Sequence, residues 1–582
     1  MIVLWCVISG GHRLSFYRMQ CPRAESFNKF ESPALVSLLC PIARFSDGMV
    51  ALHADKPKQS AEQRGSGLLF DSRILIDTPG CIVRLNRHLF SDFAPSTHSS
   101  LPVCVGREPP VSFNLDRAFL DYARLDNTYG IHSFRDVSCH YAGLVTDSNA
   151  SASDHRRRPF EKDWYNITTG MKLEAEYFKL RCLHKLDLIY SGLHLIARRR
   201  YRPTAAKVAV KPSVLVVSIG DSSRNNFERN FRDTASFLRH SLNAHELFGY
   251  SAVGTGSFSS AAALLGGMTA GEAWSRSSGS SYDALPLLWN DYKKRGHWTV
   301  YIEETPSEGA FVDPVDRGFL RKPTDYYPVA MASQMSLPDE AARSLVPEVG
   351  ISNEQPSICS GYRLRSKALL DYASELIRAG DRYPFFAFIN LKDSSRGGAK
   401  ARALDRPLKT FLANLERQGA FAETTLILLS DIGKSHWDTG ITRDGSDMPF
   451  CFVKLPPFLI ERYPSVAASM SVNQHRLTTP FDVHATLKAL ALLPRELRLE
   501  PTHRGGSLLE SIPANRTCVD ASVPIEYCAC VEGITRELAT SQPWNAVVRS
   551  TRPRIHQQCH WFVAAPQEHV RNFRSQESRI HR

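Results

Sequence analysis

At 582 residues the chain is long enough for one large domain with additions or about three ordinary ones, so neither core size nor solubility is limiting. Its 71 lysines and arginines against 59 aspartates and glutamates give a formal charge of +12. The basic residues are scattered, with short clusters at Arg156 to Arg158 and Arg198 to Arg202, which gives a solvated positive surface and excludes the basic stripe of a nucleic-acid reader.

Residues 1–68 show no sustained hydrophobic period and contain polar stretches such as Lys56 to Ser66, the pattern of a leader and linker. Met1 to Ser9 is a short apolar run with no basic residue ahead of it, and Ala34 to Ala43 is interrupted by Cys40-Pro41, so neither has the form of a signal peptide. No stretch reaches the ~18 apolar residues of a membrane span. Residues 69–203 carry Cys81, Cys104, Cys139 and Cys182 with strand-like runs at Arg73 to Ile76 and Lys179 to Leu183, which predicts a small disulfide-supported N-terminal domain. The charge run from Arg198, closed by Pro203, marks a linker.

Residues 204–506 alternate strands and helices. Strands are expected at Ser213 to Ser218, Trp298 to Glu303, Phe385 to Asn390, Thr424 to Ser430 and Cys451 to Leu455. Helices are expected at Asn226 to His240, Ser259 to Gly266, Tyr282 to Lys294, Leu364 to Ala379, Leu404 to Gln418 and Phe481 to Leu492. Unbroken apolar strands between helices of that length predict an α/β fold, a doubly wound, mostly parallel sheet covered on both faces. Residues 507–582 hold Cys518, Cys528, Cys530 and Cys559 and end in a basic tail, a disulfide-tied extension with a frayed end.

The 13 cysteines lack the paired C-x-x-C spacing of a structural zinc site, which leaves disulfides as the better account and one thiol over. Sequons at Asn149, Asn166 and Asn515 lie in the same outer segments and point to glycosylation in the secretory pathway, although such tripeptides also arise by chance in any long chain.

Four positions carry candidate chemistry. Asp221, in Gly220-Asp221-Ser222-Ser223, closes the first strand of the α/β region, where an acid can hold a metal or cap the following helix. Ser257 precedes a small-residue helix and is either a nucleophile placed at a helix N-terminus or that helix's cap. Asp431 ends the apolar run Thr424 to Ser430, but Ile432 follows it where a metal site would want histidine. His484 lies in the first turns of a helix opened by Pro480, either a ligand or an ordinary helix histidine. Strand-end acids and one hydroxyl in an α/β sheet point to metal-assisted phosphoryl or sulfuryl transfer.

Ordered blocks from Ile76-Asp77-Thr78-Pro79-Gly80-Cys81 through Arg224-Asn225-Asn226-Phe227, Val253-Gly254-Thr255-Gly256-Ser257-Phe258 and Pro323-Thr324-Asp325-Tyr326-Tyr327 carry a resemblance. They continue through Asn473 to His484 and end at Tyr527-Cys528-Ala529-Cys530. Over these blocks the chain resembles the alkaline-phosphatase and sulfatase-like superfamily, in its secreted and membrane-anchored animal branch catalogued as a domain of unknown function. The resemblance implies two divalent cations, usually zinc, with Ser257 on the nucleophile position, Asp431 on the acid of an Asp-His pair and His484 on a C-terminal ligand. Asp221 is the candidate for the first acid, although anchoring on Ser223-Arg224-x-Asn226-Phe227 puts Gly220 on that column.

The departures from the pattern decide the expectation. Ile432 supplies no lone pair, and the His-Asp expected after Phe385-Phe386-Ala387-Phe388 is replaced near Arg396-Gly397, so at least one metal site is lost. Arg396 could project a guanidinium into the vacated place and pair with Asp431 or Asp221, and His436 lies on a solvated loop or, less in keeping with its setting, supplies a displaced ligand. The expectation is therefore a degenerate member of the fold that binds or scaffolds outside the cell, with an unknown partner or a phosphate- or sulfate-bearing ligand. The alternative is an active, metal-dependent ester hydrolase using Ser257.

Overall fold

The computed structural model describes residues 3–10, 13–20, 72–86, 101–145, 160–198, 212–277, 281–311, 318–335, 358–380, 383–392, 398–433, 448–493 and 504–530. Contacts divide the chain into two units, one of Met1–Leu68 with Glu537–Arg582 and one of Leu69–Arg536. In the first unit the described part is an antiparallel hairpin of β1 (Val3–Gly10) and β2 (Arg13–Gln20), where the sequence suggested a leader without regular structure.

The second unit opens with a hairpin of β3 (Ser72–Thr78) and β4 (Cys81–Asn86). A four-stranded antiparallel sheet follows, ordered β8–β7–β5–β6 from β5 (Val137–Val145), β6 (Phe160–Asn166), β7 (Tyr177–His184) and β8 (Asp187–Leu195). Phe178, Leu180 and Cys182 alternate inward along β7, the period of a sheet with one buried face. Cys139 and Cys182 face each other across β5 and β7 and are bonded. The other two disulfides of this region run outward, Cys104 to Cys359 and Cys81 to Cys530. Tyr372 strengthens the same connection by donating to Glu176 at 2.8 Å.

The larger sheet has six strands in the order β10–β14–β13–β9–β12–β11. They are β9 (Ser213–Ile219), β10 (His245–Glu246), β11 (Trp298–Glu303), β12 (Phe385–Leu391), β13 (Thr424–Ser430) and β14 (Cys451–Lys454). The contiguous block β13, β9, β12, β11 is parallel, and β14 runs antiparallel beside β13. Every residue of β9 and β13 is buried, as two-sided coverage requires.

The strand period sorts these residues into two cores. Val214, Val216, Phe386, Phe388, Ile427 and Leu429 face one way, against α2 (Gly256–Gly266), α3 (Leu288–Lys294) and α6 (Pro480–Leu492). Leu215, Val217, Ala387, Ile389, Leu426 and Leu428 face the other, against α1 (Arg224–Asn230), α4 (Arg365–Ala379) and α5 (Gly398–Arg417). This mostly parallel sheet between two helical layers is the architecture that the alkaline-phosphatase and sulfatase resemblance implies.

Two expected helices come out shorter. The segment after β9 breaks after Asn230, resumes at Arg232–Ser236 and closes in a π turn at Phe237–Ser241. α3 starts at Leu288 rather than Tyr282, because Pro286 disfavours the helical conformation for Leu285 before it. No described helix is long and apolar enough to cross a membrane.

Candidate functional site

Four parallel strands end side by side, and the residue just past each end carries the site. Ile219 pairs with Ser430 and Leu391, so Gly220, Asp431 and Lys392 emerge together at the carboxyl edge, where open α/β sheets place their ligands. Glu304 follows β11 on the flank, its N–H donating to Asn390 O at 2.9 Å.

Asp431 is 3% exposed and its carboxylate is fully engaged. Oδ1 accepts from the Asp221 N–H at 2.8 Å and from the Ile432 N–H at 2.7 Å, while Oδ2 accepts from Ser257 Oγ at 2.5 Å. Burial first, then the neighbouring charge of Asp221, pushes the Asp431 carboxyl above its ordinary value. Asp221 itself has φ of 50°, a left-handed conformation that short polar side chains tolerate better than most.

Ser257 lies in the first turn of α2 and is buried. The helix opens at Gly256, with φ of 73°, and continues with Ser259, Ser260 and three alanines, small enough to pack close to α6. Lys392 reaches the same hydroxyl: its Nζ donates to Ser257 Oγ at 3.0 Å and to Glu308 O at 3.1 Å, and lies 3.9 Å from Asp221 Oδ2. At that separation and an effective dielectric of ~20, a unit charge pair attracts by on the order of 4 kcal/mol before desolvation is counted. Gly220 makes the arrangement possible, since a Cβ there would lie 3.1 Å from Lys392 Cγ and 3.4 Å from Asp431 Oδ2. Gly220 thus gives the lysine stem its passage.

Behind this row stand two more acids. Glu304 Oε2 accepts from the Lys392 N–H at 2.9 Å, and Glu303 accepts from Asn390 Nδ2 at 2.6 Å and Tyr301 OH at 2.7 Å. Burial pushes both carboxyls up to about 7.

His484 does not join them. Its Nδ1–H donates to Leu264 O at 3.0 Å, and its Nε2 would lie 2.7 Å from a Cβ on Gly267, the left-handed cap that ends α2. Leu264 is seven residues beyond Ser257, about 10 Å along the helix at 1.5 Å per residue. Burial pushes the imidazole down to about 4, so it is a neutral packing residue at the far end of α2. Asp482, in the same sequence block, is structural as well: it accepts from Thr479 N and Gly506 N at 2.7 Å and pairs with Arg516 at 2.9 Å.

The described residues do not make a divalent-metal site at Asp431. Apart from three cysteines that are already disulfide-bonded, no three His, Cys, Asp or Glu side chains converge among them. A lysine ammonium stands beside the acids instead. Arg396 and His436 lie outside the described residues, as does Asn149; Asn166 and Asn515 are exposed. Reading the sequence missed Lys392, whose signal was a lysine one position beyond the buried run Phe386–Leu391, and missed Glu303 and Glu304 at the end of β11. A cleft of about 450 Å³ beside α3, lined by Tyr282, Trp289, Asn290, Lys293 and Arg321, includes none of the site residues.

Among curated proteins none matches. Similar solved structures include an alkaline-phosphatase-superfamily protein from Vibrio parahaemolyticus, 12% identical over 50% of this chain and 71% of that one, with a TM-score of 0.33. Others are a phosphonate monoester hydrolase from Silicibacter pomeroyi (12%, 52% and 78%, TM-score 0.35) and a sulfatase from Pseudoalteromonas sp. (15%, 54% and 73%, TM-score 0.32). A family model described as "Protein of unknown function (DUF229)" matches residues 104–560. With most of its 582 residues inside that match, the chain belongs to the DUF229 family.

Proposed function

We propose that the protein is a pseudoenzyme on a hydrolase-type scaffold, with Lys392 in place of the divalent cation, acting as an extracellular binding or scaffold protein. The observation that carries this reading is the Lys392 ammonium, 3.0 Å from Ser257 Oγ and 3.9 Å from Asp221 Oδ2. An ammonium offsets part of the charge of two acids, as a metal would, but it has no empty coordination position to polarise an ester oxygen or lower the pKa of water. It also repels an incoming dication. Ile432 and the displaced His484 leave Asp431 without the nitrogen ligands zinc prefers. Ser257 is bonded on both sides and buried, which supports a satisfied structural network over an open reaction centre.

The disulfides support an oxidising compartment, and the exposed Asn166 and Asn515 sequons suit glycosylation there. The Ser257 hydroxyl on Asp431, at the start of a helix, is the one feature that favours an active hydrolase instead. Metal analysis of protein purified in the presence of zinc, together with assays on aryl phosphate, phosphodiester and sulfate, separates the two. Sub-stoichiometric zinc and no turnover are expected. Stoichiometric zinc with hydrolysis that disappears in Ser257→Ala would replace this proposal by the hydrolase.

A further inference from the structure

Two disulfides touch in the C-terminal segment. Cys518 is bonded to Cys528 and Cys530 to Cys81, yet Cys518 Sγ lies 3.5 Å from Cys530 Sγ. The sulfurs of Cys518, Cys528 and Cys530 all lie within 4.8 Å of one another. The two bonds differ in depth: Cys518 and Cys528 are 8% and 5% exposed, against 1% for Cys81 and 2% for Cys530. The short loop closed by Cys518 and Cys528 also presents Val519 and Ile525 to solvent, at 85% and 57%.

We propose that this cluster is a thiol–disulfide exchange site for a dithiol reductant. One thiolate of the reductant attacks Cys528 and frees Cys518 as a thiolate. Cys518 attacks the neighbouring Cys530 sulfur, forming Cys518–Cys530 and breaking Cys81–Cys530, and the Cys81 thiolate takes a proton from water. The second thiol of the reductant resolves the mixed disulfide on Cys528, leaving a Cys528 thiol. The reductant is oxidised by two electrons, and the protein gains two thiols, on Cys81 and Cys528.

The exchange exports the loss from the outer bond to the inner one. The Cys81 bond spans 449 residues and ties the turn between β3 and β4 to the C-terminal segment. The new bond would span 12 residues. Afterwards the hairpin stays on the segment through non-covalent contacts, among them Gly80 N–H to Ala514 O at 3.1 Å and the packing of Ile76 and Val83 in one core with Ala521 and Val523. Reduction at the Cys518–Cys528 bond thereby removes the covalent tie between the β3–β4 hairpin and the C-terminal segment.

The test titrates oxidised protein with dithiothreitol, alkylates and digests with trypsin, then reads the point at which label first enters the peptide holding Cys518, Cys528 and Cys530. Label on Cys81 and Cys528, with Cys518 and Cys530 still joined, is expected. Label on Cys518 at or above that on Cys81 would overturn the proposal. A second arm maps disulfides in Cys528→Ser purified without reductant. Cys518–Cys530 with alkylatable Cys81 is expected; retained Cys81–Cys530 with alkylatable Cys518 counts against exchange. If that variant does not fold, the titration of the native protein still decides.

Discussion

Lys392 Nζ donates to Ser257 Oγ at 3.0 Å although 135 residues of chain separate them. The contact exists because Lys392 follows β12 and Ser257 opens α2, both at the carboxyl edge of the parallel sheet, with Gly220 leaving room between them. The lysine is the cation of a buried site that also holds Asp431 and Asp221.

Replacing it should expose that role. Lys392→Met keeps the stem but removes the charge, leaving the two acids uncompensated, and is expected to destabilise the fold by about 3 kcal/mol near neutral pH. Asp431, already raised by burial and by Asp221, is expected to rise further, so the deficit shrinks as the pH falls and Asp431 takes up a proton. Denaturant titrations of both proteins at about pH 5 and pH 8 check this; an equal deficit at both would mean that packing alone was lost.

The same site makes a prediction about metal. Ile432→His restores an Asp-His pair but leaves the ammonium in place, and is expected to gain little zinc affinity. The double variant Lys392→Asp, Ile432→His removes the repulsion as well and is expected to bind zinc at least about 100-fold more tightly, since each 1.4 kcal/mol is tenfold. Calorimetric titration with zinc reads the difference. Tight binding by Ile432→His alone would show that the lysine does not exclude the metal.

Glu303 and Glu304 should give the fold a pH dependence. Burial raises both carboxyls from 4.5 to about 7, so the folded chain holds these protons more tightly than the unfolded one. Their contribution is complete below about pH 4.5 and is lost as the pH rises through about 7. Thermal midpoints of Glu303→Gln, Glu304→Gln are expected to fall less than those of the native protein between about pH 5 and pH 8. Parallel curves would refute it.

Asp482 and Arg516 form a buried pair, 0% and 9% exposed, that fixes the start of α6 to the segment after Arg504. Asp482→Ala leaves the guanidinium without its carboxylate and is expected to cost about 3–5 kcal/mol, measurable by chemical denaturation. Asp482→Ala combined with Arg516→Met is expected to cost less than the single change, because no uncompensated charge remains.

Much of this protein was legible locally. Unbroken apolar runs such as Thr424 to Ser430 announced strands covered on both faces, and the break at Asp431-Ile432 announced the edge where a site was expected. Boundaries failed where a local rule intervened, as with Pro286 ahead of α3. The buried cation was not legible, because the sequence drew attention to Arg396 while the residue in contact with Ser257 is Lys392. His484, which its motif left open between a ligand and an ordinary helix histidine, bonds Leu264 O at the far end of α2.

Residue type and period along short stretches dictated that a mostly parallel sheet would form, and raised the expectation of an incomplete set of metal ligands. Which side chains meet follows from the way the strands assemble. Strand order and register bring Asp221, Lys392 and Asp431 to one edge, and the fold brings Cys518 against Cys530 while Cys530 is bonded to Cys81. Such convergence depends on non-local pairing, which no local pattern encodes.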